Sequence, residues 1–192
     1  MEPILLSTTY FGPVQWYQQL HRAENVKIER WENFQKQTFR NRCLIAAANG
    51  VQALTVPVKH GDTMLIKDLR ISDHGNWQHL HWNAIQSAYG KSPFFDYYED
   101  DLRPFFEQRW DFLLDFNEAI RQKMCELIDI QPDVSYTESF RHISDVTNSP
   151  DENAGFEPKP YYQVYRQKHG FLPNLSILDL LLNMGPESIF YL

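Results

Sequence analysis

Cysteine is scarce in this chain: Cys43 and Cys125 stand alone, far apart in sequence. No Cys-x-x-Cys pair exists, which removes the usual thiol-redox and zinc signatures. Two reduced, buried thiols are expected. Glycine is sparse as well, with 8 scattered along 192 residues. There is no Gly-rich loop to cradle a phosphate, and no Gly-x-Ser-x-Gly elbow to present a nucleophilic serine. Cationic residues are in the minority, 18 Lys+Arg against 25 Asp+Glu, for a formal net charge of −7. No segment offers the dense basic face that nucleic acid or an anionic membrane surface requires. Long apolar runs are missing too. The greasiest stretch, residues 177–184, falls far short of the roughly 20 residues that span a bilayer. The N-terminus lacks a basic region followed by an apolar run, so no signal peptide is expected. A cytoplasmic protein without a membrane span is the expectation.

Aromatic residues are plentiful, at 15% of the chain. A length of 192 residues suits one domain, residues 1–192, with a sizeable core. Residues 4–10 are apolar and β-branched and predict a buried first strand. Gly12-Pro13 breaks it, and Pro13 fits the start of a helix through Trp16, Tyr17 and Leu20. Residues 25–30 alternate and predict a second strand. The opening is therefore β-α-β, with a parallel pair. Asn49-Gly50 between two apolar runs is a hairpin signal, since both residues tolerate positive φ. Residues 63–71 predict a further strand with Leu65, Leu69 and Ile71 inward. Residues 73–76 form a turn, from which Asp73 or Asn76 can cap the next helix. Beyond Pro93 the pattern is helical, most clearly over 111–128. Short strands are expected at 134–137 and 161–166, a mobile loop at 145–160, and a helix over 176–183 capped by Ser176 or Asn174. The class is α/β (or α+β): a mixed sheet with a β-α-β start, the hairpin, and a helical second half.

The richest chemistry lies in Trp77-Gln-His-Leu-His81-Trp82 and Tyr89. Positions i and i+4 share a helix face, so Trp77 and His81 should stack, with Ile85 and Tyr89 extending the stripe. His81 is a candidate proton carrier near neutral pH; the plainer reading is a core histidine satisfied by a backbone carbonyl. Arg42, with Asn41 beside it, offers a planar fork for carboxylate or phosphate, or else an ion pair with Glu29 or Glu32. Lys36 is a weaker anchor of the same kind. Asp179 sits in an apolar helix, where a carboxylate must be paired or hydrogen-bonded; Arg42, Arg166, Lys168 or His169 could supply the partner. His79 and His81 point to different sides of a helix, and His60-Gly-Asp62 has no third ligand in view. Zinc needs at least three, so no metal site is expected, and no cofactor is implied.

Several segments occur in a characteristic order: Tyr10-Phe-Gly-Pro, Phe34-Gln-Lys36 leading to Arg40-Asn-Arg42, Leu54-Thr-Val-Pro57, Trp77 with His81 and Tyr89, and the ending Phe171 to Gly185. In these the chain resembles the WbqC-like protein family, over most of residues 1–124 and 161–185. The family is usually found among bacterial genes for surface polysaccharide or O-antigen assembly, and its biochemistry is poorly defined. Two departures stand out. Ser7-Thr8-Thr9 replaces the usual Gln-Pro or His-Pro, and a middle segment with a Ser-Gly turn is collapsed into residues 145–160, as in a shortened member. The resemblance implies a transferase acting on an activated sugar or sugar-linked group. His81 would be the base, Asp179 the orienting acid, Arg42 the anion anchor, and Trp77 and Tyr89 the walls. Tyr10, Lys36 and Asn41 would complete the substrate side. A non-catalytic module that binds a glycan or a biosynthetic partner protein fits the aromatic content equally well.

Overall fold

The computed structural model describes residues 2–59, 64–143 and 156–192. Strand β1 (Ile4–Ser7), helix α1 (Val14–Arg22) and strand β2 (Val26–Glu29) form the opening β-α-β unit. β1 and β2 are parallel, with Leu6 opposite Ile28. Strand β5 (Val134–Tyr136) returns more than a hundred residues later and lies parallel on the other side of β2. The sheet order is β1-β2-β5.

Strands β3 (Arg42–Ala47) and β4 (Gly50–Thr55) make the expected hairpin as a separate antiparallel pair. Parallel and antiparallel pairing thus reside in two sheets of an α/β fold. The turn differs in detail from expectation. Ala48 and Asn49 lie between the paired Ala47 and Gly50, and of Asn49 and Gly50 only the glycine takes positive φ, +119°.

The helices that follow are α2 (Trp77–Tyr89), α3 (Phe95–Leu102), α4 (Pro104–Glu107), α5 (Leu113–Ile128), α6 (Arg166–His169) and α7 (Ile177–Met184). α2 buries Trp77, His81, Ile85, Ala88 and Tyr89, the stripe its spacing predicts. The aromatic content is packed around its start. The Trp77 and Phe116 rings lie 5.7 Å apart, Tyr10 and Phe116 5.8 Å, and Phe11 stacks on Phe106 at 6.1 Å.

Three local expectations are corrected. Of the strand expected at 63–71, residue 63 lies outside the described residues and 64–71 do not form a strand. A 3-10 turn, Ile66–Asp68, stands between single bridges at Leu65 and Ile71. The buried side chains are Ile66, Leu69 and Ile71, and the i,i+3 spacing of the first two is that of a turn. Residues 161–166 are also not a strand. Side chains anchor the segment instead: Val164 N–H donates to Asn183 Oδ1, and the Gln163 amide brackets the Leu172 backbone through both its ends. At α2, neither Asp73 nor Asn76 provides a side-chain cap; Asn76 is left-handed at φ 50°. α7 does have its expected cap, Ser176, whose hydroxyl accepts from Leu178 N–H. Of the loop expected at 145–160, residues 145–155 lie outside the described residues, and 156–160 are irregular.

α7 ends at Gly185, with φ 56° and ψ −130°. A Cβ there would lie 2.5 Å from the Phe94 ring. Backbone strain and the clash add, so Gly185→Ala should cost about 2–4 kcal/mol in a urea unfolding titration.

Candidate functional site

His81 is set on α2 one turn after Trp77, and the two rings meet edge-on at 5.1 Å. The Tyr10 hydroxyl donates to His81 Nδ1 at 2.8 Å. His81 Nε2–H donates to the Thr55 carbonyl at 3.1 Å. A carbonyl only accepts, so the proton sits on Nε2 and the lone pair on Nδ1 faces the phenol. Burial lowers the imidazole to about 4, against the opposing pull of the Thr55 hydrogen bond. The ring is neutral at physiological pH, with both nitrogens engaged. Use of His81 as a base would require it to leave Tyr10. Tyr10 and Tyr89 are sealed at 0% exposure, and Trp77 is 7% exposed. These aromatics are walls of packed core.

Asp179 faces a different group of residues. The Tyr89 hydroxyl donates to its Oδ1 at 2.9 Å; the Tyr161 hydroxyl and the Gln163 amide donate to Oδ2 at 2.6 and 2.8 Å. None of the cations named above reaches it. Lys168 and His169 instead bond the carbonyls of Ala48 and Ala47. Burial raises the Asp179 carboxyl above its ordinary range, while Tyr161, Gln163 and Tyr89 pull it back. Tyr89 also accepts from the Ala46 N–H at 3.2 Å, so the carboxylate is tied to β3. Both thiols are buried and unpaired. Burial pushes Cys43 well up, and Cys125 up to about 11, which leaves neither as a thiolate.

Lys36, Asn41 and Arg42 do come together. They line one surface cleft of about 220 Å³ with Phe34, Gln37, Thr55, Val56, Pro57 and Val58. Arg42 bonds Thr55 Oγ1 through Nε at 3.2 Å and forms no ion pair among the described residues. Asn41 Nδ2 donates to the Val56 carbonyl at 2.9 Å, which fixes the amide orientation. Its Oδ1 is buried with no partner. The cleft therefore presents two cations, while the unpaired Asn41 Oδ1 is sealed from solvent. His81, Trp77, Tyr89, Tyr10 and Asp179 do not line it.

Glu32, the partner first considered for Arg42, belongs to Arg40. The two form a bidentate buried pair, Nε to Oε1 and Nη2 to Oε2, each 2.8 Å. Arg40 Nη2 also donates to Ser7 Oγ at 2.9 Å, while Nη1 has no partner. A second cleft, about 230 Å³, opens over this pair. Sequence reasoning missed the pair because nothing in the spacing of Glu32 and Arg40 chooses Arg40 over Arg42. The N-terminus of α1 is no phosphate site: Val14 N–H donates to the Leu175 carbonyl and Gln15 N–H to Asn174 Oδ1. Among the described residues, no cluster of metal-ligating side chains occurs.

Residues 8–154 match the model of the WbqC-like protein family. The chain belongs to this family. The matched span contains both clefts and His81. It does not extend over residues 161–185, part of the resemblance drawn above, so α7 and Asp179 lie outside it. An uncharacterized protein of Mycobacterium tuberculosis (strain ATCC 25618 / H37Rv), Rv1507c, is 26% identical over 193 residues, covering 83% of this chain and 83% of the relative. No solved structure matches the chain significantly. No helix of the described residues is long and apolar enough to cross a membrane.

Two outcomes follow for this WbqC-like chain. In an NMR titration the His81 ring should stay neutral until the pH nears about 4. The unfolded ring takes its proton near 6.5, so His81 contributes stability that is present above that pH and lost as pH falls towards about 4. The full loss is roughly 3 kcal/mol, and His81→Asn should remove that slope from the pH dependence of urea unfolding. Breaking the buried ion pair with Arg40→Ala strands the Glu32 carboxylate, and should cost about 3–5 kcal/mol in the same assay.

Proposed function

We propose that this protein binds an anionic, sugar-linked ligand of bacterial surface-polysaccharide biosynthesis, and that it works as a binding module. The observation that carries this reading is the convergence of Lys36, Asn41 and Arg42 on one cleft. Two cations suit the oxygens of a phosphate or sugar acid. The pathway comes from the family resemblance. The transferase reading has less support, because the cleft offers cations and amides but no base, and His81 is already engaged on both nitrogens.

The test is isothermal titration of the purified protein with glucose 1-phosphate and with glucuronate. Arg42→Ala should weaken binding about tenfold or more, the loss of a charge-assisted hydrogen bond. Lys36→Ala should weaken it by less. His81→Asn should leave it unchanged once the protein is shown to be folded. Binding of neither anion, or binding indifferent to Arg42, would overturn the proposal. Turnover of a sugar donor that His81→Asn abolishes would restore the enzyme reading.

A further inference from the structure

The cleft over Arg40 and Glu32 lies where the parallel sheet ends. Its lining comes from the segment after β2 (Glu32, Asn33, Gln35, with Arg40) and the segment after β5 (Phe140, His142, Ile143). In open α/β sheets, ligands gather outside the carboxyl ends of the strands. Both walls are fixed from beneath by Glu29, a fully buried carboxylate. It accepts from Trp31 N–H beyond β2, and from Thr137 Oγ1 at 3.0 Å and Arg141 N–H at 2.7 Å beyond β5. The recess is thus a built feature held between two strand exits.

Its chemistry differs from that of the Lys36–Arg42 cleft. Arg40 is 3% exposed and its charge is met bidentately by Glu32, so the floor is close to neutral and does not favour an anion. What remains for a ligand is hydrogen bonding by the exposed amides of Asn33 and Gln35, each both donor and acceptor; the unpaired Arg40 Nη1 is sealed from solvent. Beside them stands Phe140, an aromatic ring left 61% exposed. An aromatic face packs against a C–H face, while amides take hydroxyls on the edge. Nucleobases also stack, but among the described residues the only other ring in the lining, His142, comes from the same strand exit as Phe140, and the facing side, Glu32, Asn33, Gln35 and Arg40, supplies polar groups and no ring to sandwich a base. A volume of about 230 Å³ lies below the roughly 300–1,000 Å³ of sites for drug-sized ligands and suits one ring.

We infer that the recess formed by Asn33, Gln35, Arg40 and Phe140 at the carboxyl ends of β2 and β5 binds a single neutral sugar ring, separately from the anion cleft. The two recesses are lined by neighbouring residues of one stretch, Glu32, Asn33 and Gln35 in one and Phe34, Lys36 and Gln37 in the other. This inference does not depend on the anion reading, and either can fail alone.

Saturation-transfer NMR tests it on the full chain, with the methyl glycosides of glucose, galactose and N-acetylglucosamine as probes, and with uridine and inorganic phosphate as controls. At least one glycoside should show transfer to its ring protons. Phe140→Ala, at an exposed position that should leave folding intact, should weaken that binding about tenfold, as should Gln35→Ala to a smaller degree. Arg42→Ala should leave it unchanged, and inorganic phosphate should not displace the glycoside. Absence of transfer to every glycoside overturns the inference. So does binding unaltered in Phe140→Ala, or uridine displacing the glycoside at lower concentration. Binding of neither glucose 1-phosphate nor glucuronate, with the glycoside still bound, would overturn the anion-cleft reading and leave this one standing.

Discussion

The structure depends on satisfying the polar groups of one buried helix end. α7 and the turn before it are enclosed on all sides, so every polar group there must find a partner. Ser176 meets the demand at the junction of three elements. Its N–H donates to the Leu44 carbonyl of β3, its hydroxyl donates to the Phe11 carbonyl after β1, and the same hydroxyl caps Leu178 N–H. Ile177 N–H reaches the Gly12 carbonyl, and Val14 N–H reaches back to Leu175. The β1-α1 turn, the hairpin and α7 are stitched by these bonds. Asp179 and Asn183 continue the same logic one and two turns on, towards Tyr89, Tyr161, Gln163 and Val164.

This joint explains why several residues with the right chemistry for catalysis are not placed to perform it. The N-terminus of α1 would be a natural anion site in a β-α-β unit, yet its N–H groups are occupied by the α7 approach. Tyr89 is committed to Asp179, and Tyr10 to His81. A histidine with a buried phenol on one side and a carbonyl on the other is held in one tautomer, and desolvation keeps it uncharged. The polar groups left for a ligand lie away from this core, on the segment from Glu32 to Arg42 that crosses between the two sheets.

That segment gives two recesses of opposite character. Arg40 turns inward to Glu32 and Ser7, and its charge is cancelled. Arg42, two residues on and at the start of β3, is half-buried and keeps its charge for the outer cleft. Strand alternation sends Cys43 between them inward, and Arg40 precedes the strand, so alternation alone does not place it.

The periodic signals settled the parts of this fold that depend on local pattern. The β-α-β start, the hairpin around Gly50, and the helices carrying Trp77–Tyr89 and Leu113–Ile128 follow from alternation, 3.6-residue spacing and turn residues, and the ordered motifs led to the WbqC-like family. The spacing also put Trp77 against His81. What tertiary structure alone decided was pairing and access. Residues 65–71 alternate well enough for a strand, but a 3-10 turn wins because the exit of β2 and the start of α5 bond its ends. Residues 161–166 have strand composition and no strand to join. Whether His81 faces solvent or a phenol, whether Glu32 takes Arg40 or Arg42, and which three donors reach Asp179 are contacts across 8 to 90 positions of sequence. Local propensity carries no information over such separations; only the packed core brings those groups within hydrogen-bonding distance.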